Sequence, residues 1–148
     1  MLSILSDDYF MDLALREAEK AVAEGEVPVG AVITCESQII ARAYNQIEKL
    51  QDSTAHAELL AITSASAHLG SKFLPQCTLY VTLEPCIMCA GALYWSRIGR
   101  VVYGASDDKR GFMQYGKSLL HPATKLEFGV RHDACQNILQ QFFLMKRL

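Results

Sequence analysis

Apolar residues recur at the spacing of an α-helix near the start of the chain. They follow Ser6, which can cap a helix, and they end before Gly25, which suits the position after a last helical turn. The apolar positions that share one face are Phe10, Leu13, Ala14, Ala18, Ala21 and Val22. This pattern predicts a first helix from Ser6 to about Glu24.

Two runs rich in β-favouring residues come next, at positions 29–34 and 39–44. Only residues 35–38 separate them, so the two runs are typical of an antiparallel hairpin. Further clusters of β-favouring residues predict strands at 78–82, 100–103 and 125–128.

Three more helices are predicted from apolar stripes. The second helix should begin near Ser53 or Thr54 and end at Gly70, the third should cover about 86–96, and the last about 133–147. The inner face of the second helix is expected to consist of Leu59, Ile62, Ala65 and Leu69. That of the last helix is expected to consist of Ala134, Cys135, Ile138, Leu139, Phe142 and Met145.

The order of these elements predicts the fold class. A strand, a helix and a strand in succession imply a parallel crossover, whereas the hairpin is antiparallel. We therefore expect an α/β protein with three layers, α/β/α, and a mixed sheet of about five strands covered by helices on both sides. No Gly/Ser-rich or Pro-rich linker and no repeat divides the sequence, so residues 1–148 are expected to form a single domain.

Composition limits the class of protein. With 148 residues, of which 51% are hydrophobic and 20% charged, the chain can bury a core and is unlike a disordered protein. It holds no apolar run near the roughly 18 residues of a membrane span, and Asp7 and Asp8 leave no room for a secretory signal. Its five cysteines are an odd number, which favours reduced thiols and metal ligation over disulfides. We expect a cytoplasmic protein that does not bind membranes.

Charge is distributed unevenly along the chain. Residues 1–95 hold 5 Lys/Arg against 12 Asp/Glu, whereas residues 96–148 hold 9 against 4, and the net charge of the whole is −2. This asymmetry fits either an ordinary solvated surface or a positive C-terminal third that faces an anionic partner.

Two short segments carry the candidate chemistry. His56 and Glu58 lie at the start of the second predicted helix, and Pro85, Cys86 and Cys89 lie at the start of the third. Cys86 and Cys89 are three positions apart, so on a helix they share a face and can bind one metal ion. A helix start also favours the thiolate that a metal needs. His56 adds a third ligand, and a Cys₂His set with one free position is typical of catalytic zinc.

Water in that free position would ionise readily, because zinc lowers the pKa of a bound water from about 15.7 to about 7. Glu58 is the candidate proton carrier, but residues i and i+2 point about 200° apart on a regular helix. His56 and Glu58 can therefore serve one centre only if the substrate lies off the helix end. Alone, the cysteine pair also fits a thioredoxin-like motif or half of a structural zinc site, and His56 fits a core histidine. The combination of both segments favours one Zn²⁺ per chain.

These segments resemble the zinc motif of the cytidine deaminase-like superfamily, and the chain as a whole is most similar to the bacterial tRNA-specific adenosine deaminases. The similarity extends over nearly the whole sequence. It includes residues 26–32, 79–86, 89–92, 97–98 and 102–105, Asp107, Lys109 and the Phe142-Phe143 pair. The resemblance implies a cytidine deaminase-like fold and hydrolytic conversion of adenosine to inosine at the wobble position of a tRNA anticodon stem-loop. It also implies a homodimer.

The resemblance implies roles for individual residues as well. His56, Cys86 and Cys89 would bind zinc, and Glu58 would move protons between water, the purine ring and the departing ammonia. The residues implied to contact the RNA substrate are Val29, Asn45, Asp107, Lys109, Phe143, Lys146 and Arg147. Without the family, Asn45 is more typical of a turn residue, and Asp107 and Lys109 are more typical of a solvated turn.

Two other functions stay open from the residues alone. A deaminase of a free base or nucleoside, of the guanine or cytosine type, would use the same metal site, and Tyr94-Trp95 resembles a pair in guanine deaminases of the same superfamily. A zinc-stabilised binding module without catalysis would require neither a free metal position nor Glu58. The basic C-terminal third favours the tRNA substrate, because a small-molecule enzyme does not require it.

Overall fold

The structure, a computed structural model, describes residues 6–147. Its helices are α1 (Asp7–Ala23), α2 (Ile47–Leu50), α3 (Ala57–Leu69), α4 (Ile87–Ser96) and α5 (His132–Lys146). Its strands are β1 (Gly30–Cys35), β2 (Gln38–Tyr44), β3 (Cys77–Leu83), β4 (Arg100–Ala105) and β5 (Lys125–Phe128). Short 3-10 turns at Phe112–Gln114 and Lys117–Leu119 lie between β4 and β5.

Local sequence signals explain the ends of the first elements. The Ser6 side chain accepts a hydrogen bond from the Tyr9 N–H at 3.1 Å and so caps α1, and Gly25 adopts a φ of 75° beyond its end. At the hairpin, Glu36 (φ 52°) and Ser37 (φ 65°) both lie in the left-handed region, as a two-residue type I′ turn requires. The predictions of the first helix and of the antiparallel hairpin are confirmed.

Within residues 6–147, five strands form one mixed sheet in the order β2-β1-β3-β4-β5. β1 is antiparallel to both of its neighbours, while β3, β4 and β5 are parallel to one another. The connection from β3 through α4 to β4 is the predicted parallel crossover. The predicted fold class, three layers with a mixed sheet of about five strands, is confirmed.

Helices cover both faces of the sheet. On one face, α1 and α5 enclose a core that includes Phe10, Met11, Val32, Tyr80 and Val102. On the other face, α3 and α4 pack mainly through alanines: Ala57, Ala61, Ala65 and Ala90. Burial of apolar surface on both faces stabilises the three layers. In the part of the chain that the structure describes, no helix has both the length and the apolar character of a membrane span.

The predicted start of the second helix is wrong. The helix begins at Ala57, whose N–H is capped by Asn45 Oδ1 at 2.9 Å, and residues 52–54 instead form a turn in which the Asp52 carboxylate accepts the Thr54 N–H and hydroxyl. Its inner face is also different. Leu69 was predicted to face inward but is 41% exposed, because it is the last residue of α3 and lies beyond the buried alanines 57, 61 and 65.

The inner face of the last helix is predicted correctly except at its end. Cys135 and Phe142 are buried, whereas Met145 is 70% exposed. The reason is that α5 continues beyond Phe142 into solvent, so residues 143–147 are all exposed.

Candidate active site

One edge of the sheet gathers the two predicted metal segments. β2 and β3 run in the same direction and end at this edge, with Tyr44 and Leu83 as their last residues. α3 and α4 begin there, directly after His56 and Cys86 respectively. The fold therefore brings together two segments that lie 30 positions apart in the sequence.

The side chains of His56, Cys86 and Cys89 form a compact donor set. His56 Nδ1 lies 3.7 Å from Cys86 Sγ and 3.5 Å from Cys89 Sγ, and the three ligand atoms lie within 4.8 Å of one another. A tetrahedral zinc, with Zn–N of about 2.0–2.1 Å and Zn–S of about 2.3 Å, separates its nitrogen and sulfur ligands by about 3.6 Å. The donor set therefore fits one Zn²⁺, and these three residues leave its fourth position to another ligand.

The backbone before each helix directs the donors toward one another. His56 (φ −76°, ψ 150°) and Cys86 (φ −75°, ψ 175°) are extended N-cap residues, and neither side chain caps its own helix. Because His56 precedes the helix, the 200° separation of residues i and i+2 within a helix does not apply to His56 and Glu58. Both side chains can therefore serve one centre.

Glu58 is a buried carboxyl in the first turn of α3, only 4% exposed. Burial disfavours its charged form and raises the pKa of Glu58 to about 7. The carboxyl lies within hydrogen-bonding reach of the Cys89 thiol and close to the His56 imidazole. The structure thus places Glu58 beside two of the three predicted ligands.

The two cysteines of the donor set differ in acidity. A hydrogen bond from the Cys89 thiol lowers the pKa of Cys86 to about 4, and the same bond raises the pKa of Cys89 above its usual range. The hydrogen bond to Cys86 raises the pKa of His56. A thiolate, a thiol and an imidazole in contact make up a donor set suited to zinc.

Asn45 joins the hairpin to the start of α3. It is buried, its Oδ1 accepts the Ala57 N–H at 2.9 Å, and its Nδ2 donates to the Val27 carbonyl at 3.1 Å. Asn45 thus caps α3 from twelve positions away. Nδ2 carries a second hydrogen, so this side chain has a further donor for a ligand.

Glu84 is another buried acidic residue near the metal ligands, and its role is not predicted by the sequence. Its two oxygens accept the Asp107 N–H at 3.0 Å and the Met113 N–H at 2.9 Å. Gly111 packs against it so closely that a Cβ at this position would collide with Glu84 Oε2. Glu84 therefore anchors residues 107–113 beside the cysteine segment. In the sequence, the only indication of such a role is that Glu84 directly precedes Pro85 and the cysteine segment.

We expect Glu84→Ala to loosen residues 107–113 and lower the free energy of unfolding. Each of the two N–H groups would lose its acceptor, and a hydrogen bond of this kind contributes about 0.5–1.5 kcal/mol to stability. Hydrogen–deuterium exchange should become faster at the Asp107 and Met113 amides. Glu19→Ala, at an exposed position of α1, is the control and should leave those amides protected. Unchanged protection in Glu84→Ala would contradict the anchoring role.

The predicted RNA contacts near the sheet edge fall into two places. Val29 is 4% exposed and its carbonyl accepts the Asn45 N–H at 3.1 Å, so these two predicted contacts are neighbours. Asp107 Oδ1 accepts the N–H groups of Lys109 and Arg110, each at 3.1 Å. The Asp107 carboxylate thus closes a turn, on which Lys109 is exposed.

The remaining predicted RNA contacts lie at the end of α5. Phe143 is 46% exposed and meets the buried Phe142 ring edge-on at 5.4 Å between centroids. Lys146 Nζ lies 5.5 Å from the centroid of the Phe142 ring, and Arg147 is exposed. Lys146 also lines a groove of about 910 Å³ between α1 and α5, which reaches Gly25 at the end of α1.

Comparison with known sequences agrees with the geometry of the site. Residues 5–105 match the family of the cytidine and deoxycytidylate deaminase zinc-binding region. A tRNA-specific adenosine deaminase from Aquifex aeolicus (strain VF5) is 46% identical over 144 residues, which cover 94% of this chain and 95% of that protein. Another from Bacillus subtilis (strain 168) is 46% identical over 143 residues, covering 93% of this chain and 88% of that protein.

Comparison with solved structures gives the same result. A structure from a study of A-to-I editing by tRNA:A34 deaminases at the wobble position of transfer RNA is 42% identical, with a TM-score of 0.83. The match covers 88% of this chain and 99% of that one. With a Cys₂His donor set, a buried glutamate beside it and relatives that match along almost their entire length, the chain belongs to the tRNA-specific adenosine deaminase family of zinc-binding deaminases.

Proposed function

We propose that this protein converts adenosine to inosine at the wobble position of a tRNA anticodon by zinc-dependent hydrolysis. The observation that carries the proposal is the Cys₂His donor set with buried Glu58 beside it, in a chain whose relatives are tRNA-specific adenosine deaminases. His56, Cys86 and Cys89 are the proposed ligands of one Zn²⁺ per subunit, and Glu58 is the proposed catalytic proton carrier.

The reaction replaces the amino group on C6 of adenine by the oxygen of a water and releases ammonia. A zinc ion bound by the three ligands supplies the Lewis acidity that makes water nucleophilic at neutral pH. The Glu58 carboxylate accepts a proton from the attacking water and delivers protons to N1 of the purine and to the departing amino group. Its burial supports this role, because bulk water is kept away from the transfers.

Asn45 and Val29 are proposed to hold the flipped nucleotide, since a base must leave its stack to reach the metal. The second hydrogen of Asn45 Nδ2 is available to the nucleotide, and Val29 forms part of the apolar wall against the base. Asn45 already caps the helix that begins directly after His56. Asn45 therefore connects the bound nucleotide to the start of α3, where the metal ligand His56 and the proton carrier Glu58 lie.

The end of α5 is proposed to bind the anticodon loop. Phe143 offers an exposed ring on which an unpaired base can stack, and Lys146 and Arg147 offer cations to phosphates. Lys146 shares a groove with Gly25, and the chain leads from Gly25 directly to Val29. Asp107 and Lys109, on the turn that Glu84 anchors, are proposed as a second contact with the RNA.

Deamination of a free base or nucleoside is not favoured. The relatives that match at 46% identity over nearly the whole chain are tRNA-specific. A small substrate also gives no reason for exposed cations at the end of α5.

We propose that the chain forms a homodimer through the outer face of α4. Ile87 is 55% exposed, Tyr94 37% and Trp95 76%, an apolar surface of the kind that marks protein–protein contacts. Ile87 lies between the two cysteine ligands, so a partner that covers this face borders the metal site. Light scattering at micromolar concentration should give twice the mass of one chain, and a single-chain mass would refute the dimer.

We also propose that residues 1–148 act as one deaminase domain and that the protein is cytoplasmic. Side chains of α1, α3, α4 and α5 all pack in the two core clusters that cover the faces of one sheet, which supports a single domain. The five cysteines are unpaired thiols, as expected of a protein kept in a reducing compartment. Cell fractionation should recover the protein with the cytoplasm, and recovery from another compartment would contradict this placement.

The proposed reaction is tested with defined substrates. The zinc-loaded protein is incubated with a synthetic anticodon stem-loop that carries adenosine at the wobble position, and separately with free adenosine, guanine and cytidine. We expect inosine at that position of the stem-loop, detected by mass spectrometry after nuclease digestion, and little ammonia from the free compounds. A stem-loop with guanosine at the wobble position is the control. Faster ammonia release from free guanine would overturn the proposal.

A further inference from the structure

Cys35 and Cys77 face one another across neighbouring strands, far from the metal ligands. They are register partners in the antiparallel pair of β1 and β3. Both pack in the core cluster on the α3 side of the sheet, so their side chains point to the same face. Cys35 is the last residue of β1, and Cys77 is the first of β3.

Backbone hydrogen bonds show which kind of antiparallel pair this is. The Cys77 N–H donates to the Leu74 carbonyl at 3.1 Å, so it does not bond to Cys35. The Gly30 N–H points toward β3, where it donates to Thr82 Oγ1 at 3.1 Å. N–H groups alternate in direction along a strand, so Cys35, five positions later, points its N–H away from β3. Cys35 and Cys77 thus form a non-hydrogen-bonded pair.

A non-hydrogen-bonded pair suits a disulfide. Its Cα atoms are about 4.5 Å apart and its side chains are closer than in the hydrogen-bonded kind. Disulfides span Cα separations of about 4.4–6.8 Å. No movement of the backbone is therefore needed to join the two sulfurs.

The two thiols differ in their access to solvent. Cys35 is half-buried, whereas Cys77 is only 2% exposed. Burial, together with the neighbouring Cys35 sulfur, raises the pKa of Cys77 to about 12. Cys35 is thus the thiol that a dissolved oxidant can reach, and Cys77 can react only with a sulfur already at its side.

We propose that Cys35 and Cys77 are a modification site that a small disulfide such as oxidised glutathione converts to an intramolecular disulfide. The Cys35 thiolate attacks one sulfur of the oxidant, which forms a mixed disulfide and expels one glutathione thiolate. Cys77, after loss of its proton, then attacks the Cys35 sulfur and expels the second glutathione. The two thiols lose two electrons, and the oxidant gains them as two molecules of glutathione.

This site is separate from the metal centre. Cys77 is the first residue of β3, and the two cysteine ligands of the metal follow its last residue, Leu83. At 3.3 Å per residue, the strand separates the two sites by about 20 Å. The disulfide would join β1 to β3 and close a chain segment that contains His56 and Glu58. Oxidation is therefore expected to leave the zinc ligands and the bound metal unchanged.

The test uses the zinc-loaded full chain, in which the metal protects Cys86 and Cys89. After incubation with oxidised glutathione, intact mass spectrometry should show the loss of two hydrogens. Peptide mapping should join the peptides that contain Cys35 and Cys77, and dithiothreitol should reverse the change. Cys35→Ser should prevent it, whereas Cys135→Ala, which alters a fully buried thiol elsewhere, should not.

Three results would overturn the proposal. One is a chain that keeps both thiols after prolonged exposure to the oxidant. Another is a stable glutathione adduct on Cys35 that Cys77 does not displace. The third is a cross-link that forms equally in the Cys35→Ser variant, which would show that other thiols had reacted.

Discussion

Replacing Glu58 by glutamine is expected to lower the turnover of the anticodon stem-loop by a factor of about 10² or more. Glutamine keeps the shape of the side chain but cannot take a proton from water or deliver one to the purine. The zinc content should stay at one ion per chain, because His56, Cys86 and Cys89 are unchanged. Single-turnover formation of inosine gives the rate, and elemental analysis gives the metal.

The same variant separates an enzyme from a zinc-stabilised binding module. A module would tolerate Glu58→Gln without loss of function, since nothing in a structural zinc site requires a proton carrier. Glu36→Gln, at the exposed turn between β1 and β2 on the opposite edge of the sheet, is the matched control and should keep full activity. Turnover by Glu58→Gln within a few-fold of the unaltered chain would contradict the proposed role of Glu58.

Reversal of charge at the end of α5 is expected to weaken the use of RNA without affecting the metal. In the Lys146→Glu, Arg147→Glu double variant, kcat/KM for the stem-loop should fall at least about tenfold, because two cations that meet phosphates become anions. The slope of log kcat/KM against log salt concentration should also become less negative by about 1.4–1.8, because two phosphate contacts are lost. Steady-state assays between about 50 and 200 mM salt measure both effects.

A matched double variant tests whether position or net charge decides this result. Lys72 and Lys125 are exposed cations at the opposite edge of the sheet, where β3 and β5 begin. Changing both to glutamate alters the net charge of the chain by the same amount. That control should keep most of its kcat/KM and its salt dependence. Equal losses in the two double variants would contradict a specific role for the end of α5.

Features that depend on nearby residues were predictable from the sequence. The Ser6 cap, the antiparallel hairpin and the alternation of strands and helices are all local signals, and each agrees with the structure. The metal segments were also accessible, because their ligands lie at helix starts that the apolar pattern locates within a few residues. Their common place at one edge of the sheet follows from the parallel direction of β2 and β3, which only the structure shows.

Features that depend on distant partners were not predictable. The start of α3 was placed too early because its cap comes from Asn45, twelve positions before Ala57. Glu84 carries the same charge as a surface glutamate, and only the folded chain supplies the two N–H groups that make its burial favourable. Glu26, 2% exposed, is a parallel case, since it accepts the Glu48 and Lys49 N–H groups at the start of α2.

X-ray absorption at the zinc edge of the purified protein tests the central claim most directly. The geometry of His56, Cys86 and Cys89 predicts two sulfur ligands at about 2.3 Å, one nitrogen at about 2.0–2.1 Å and one oxygen from solvent. Cys86→Ala should lose most of this zinc, whereas Cys35→Ser should keep it. Four sulfur ligands, or a protein that binds no zinc, would contradict a catalytic metal site at this edge of the sheet.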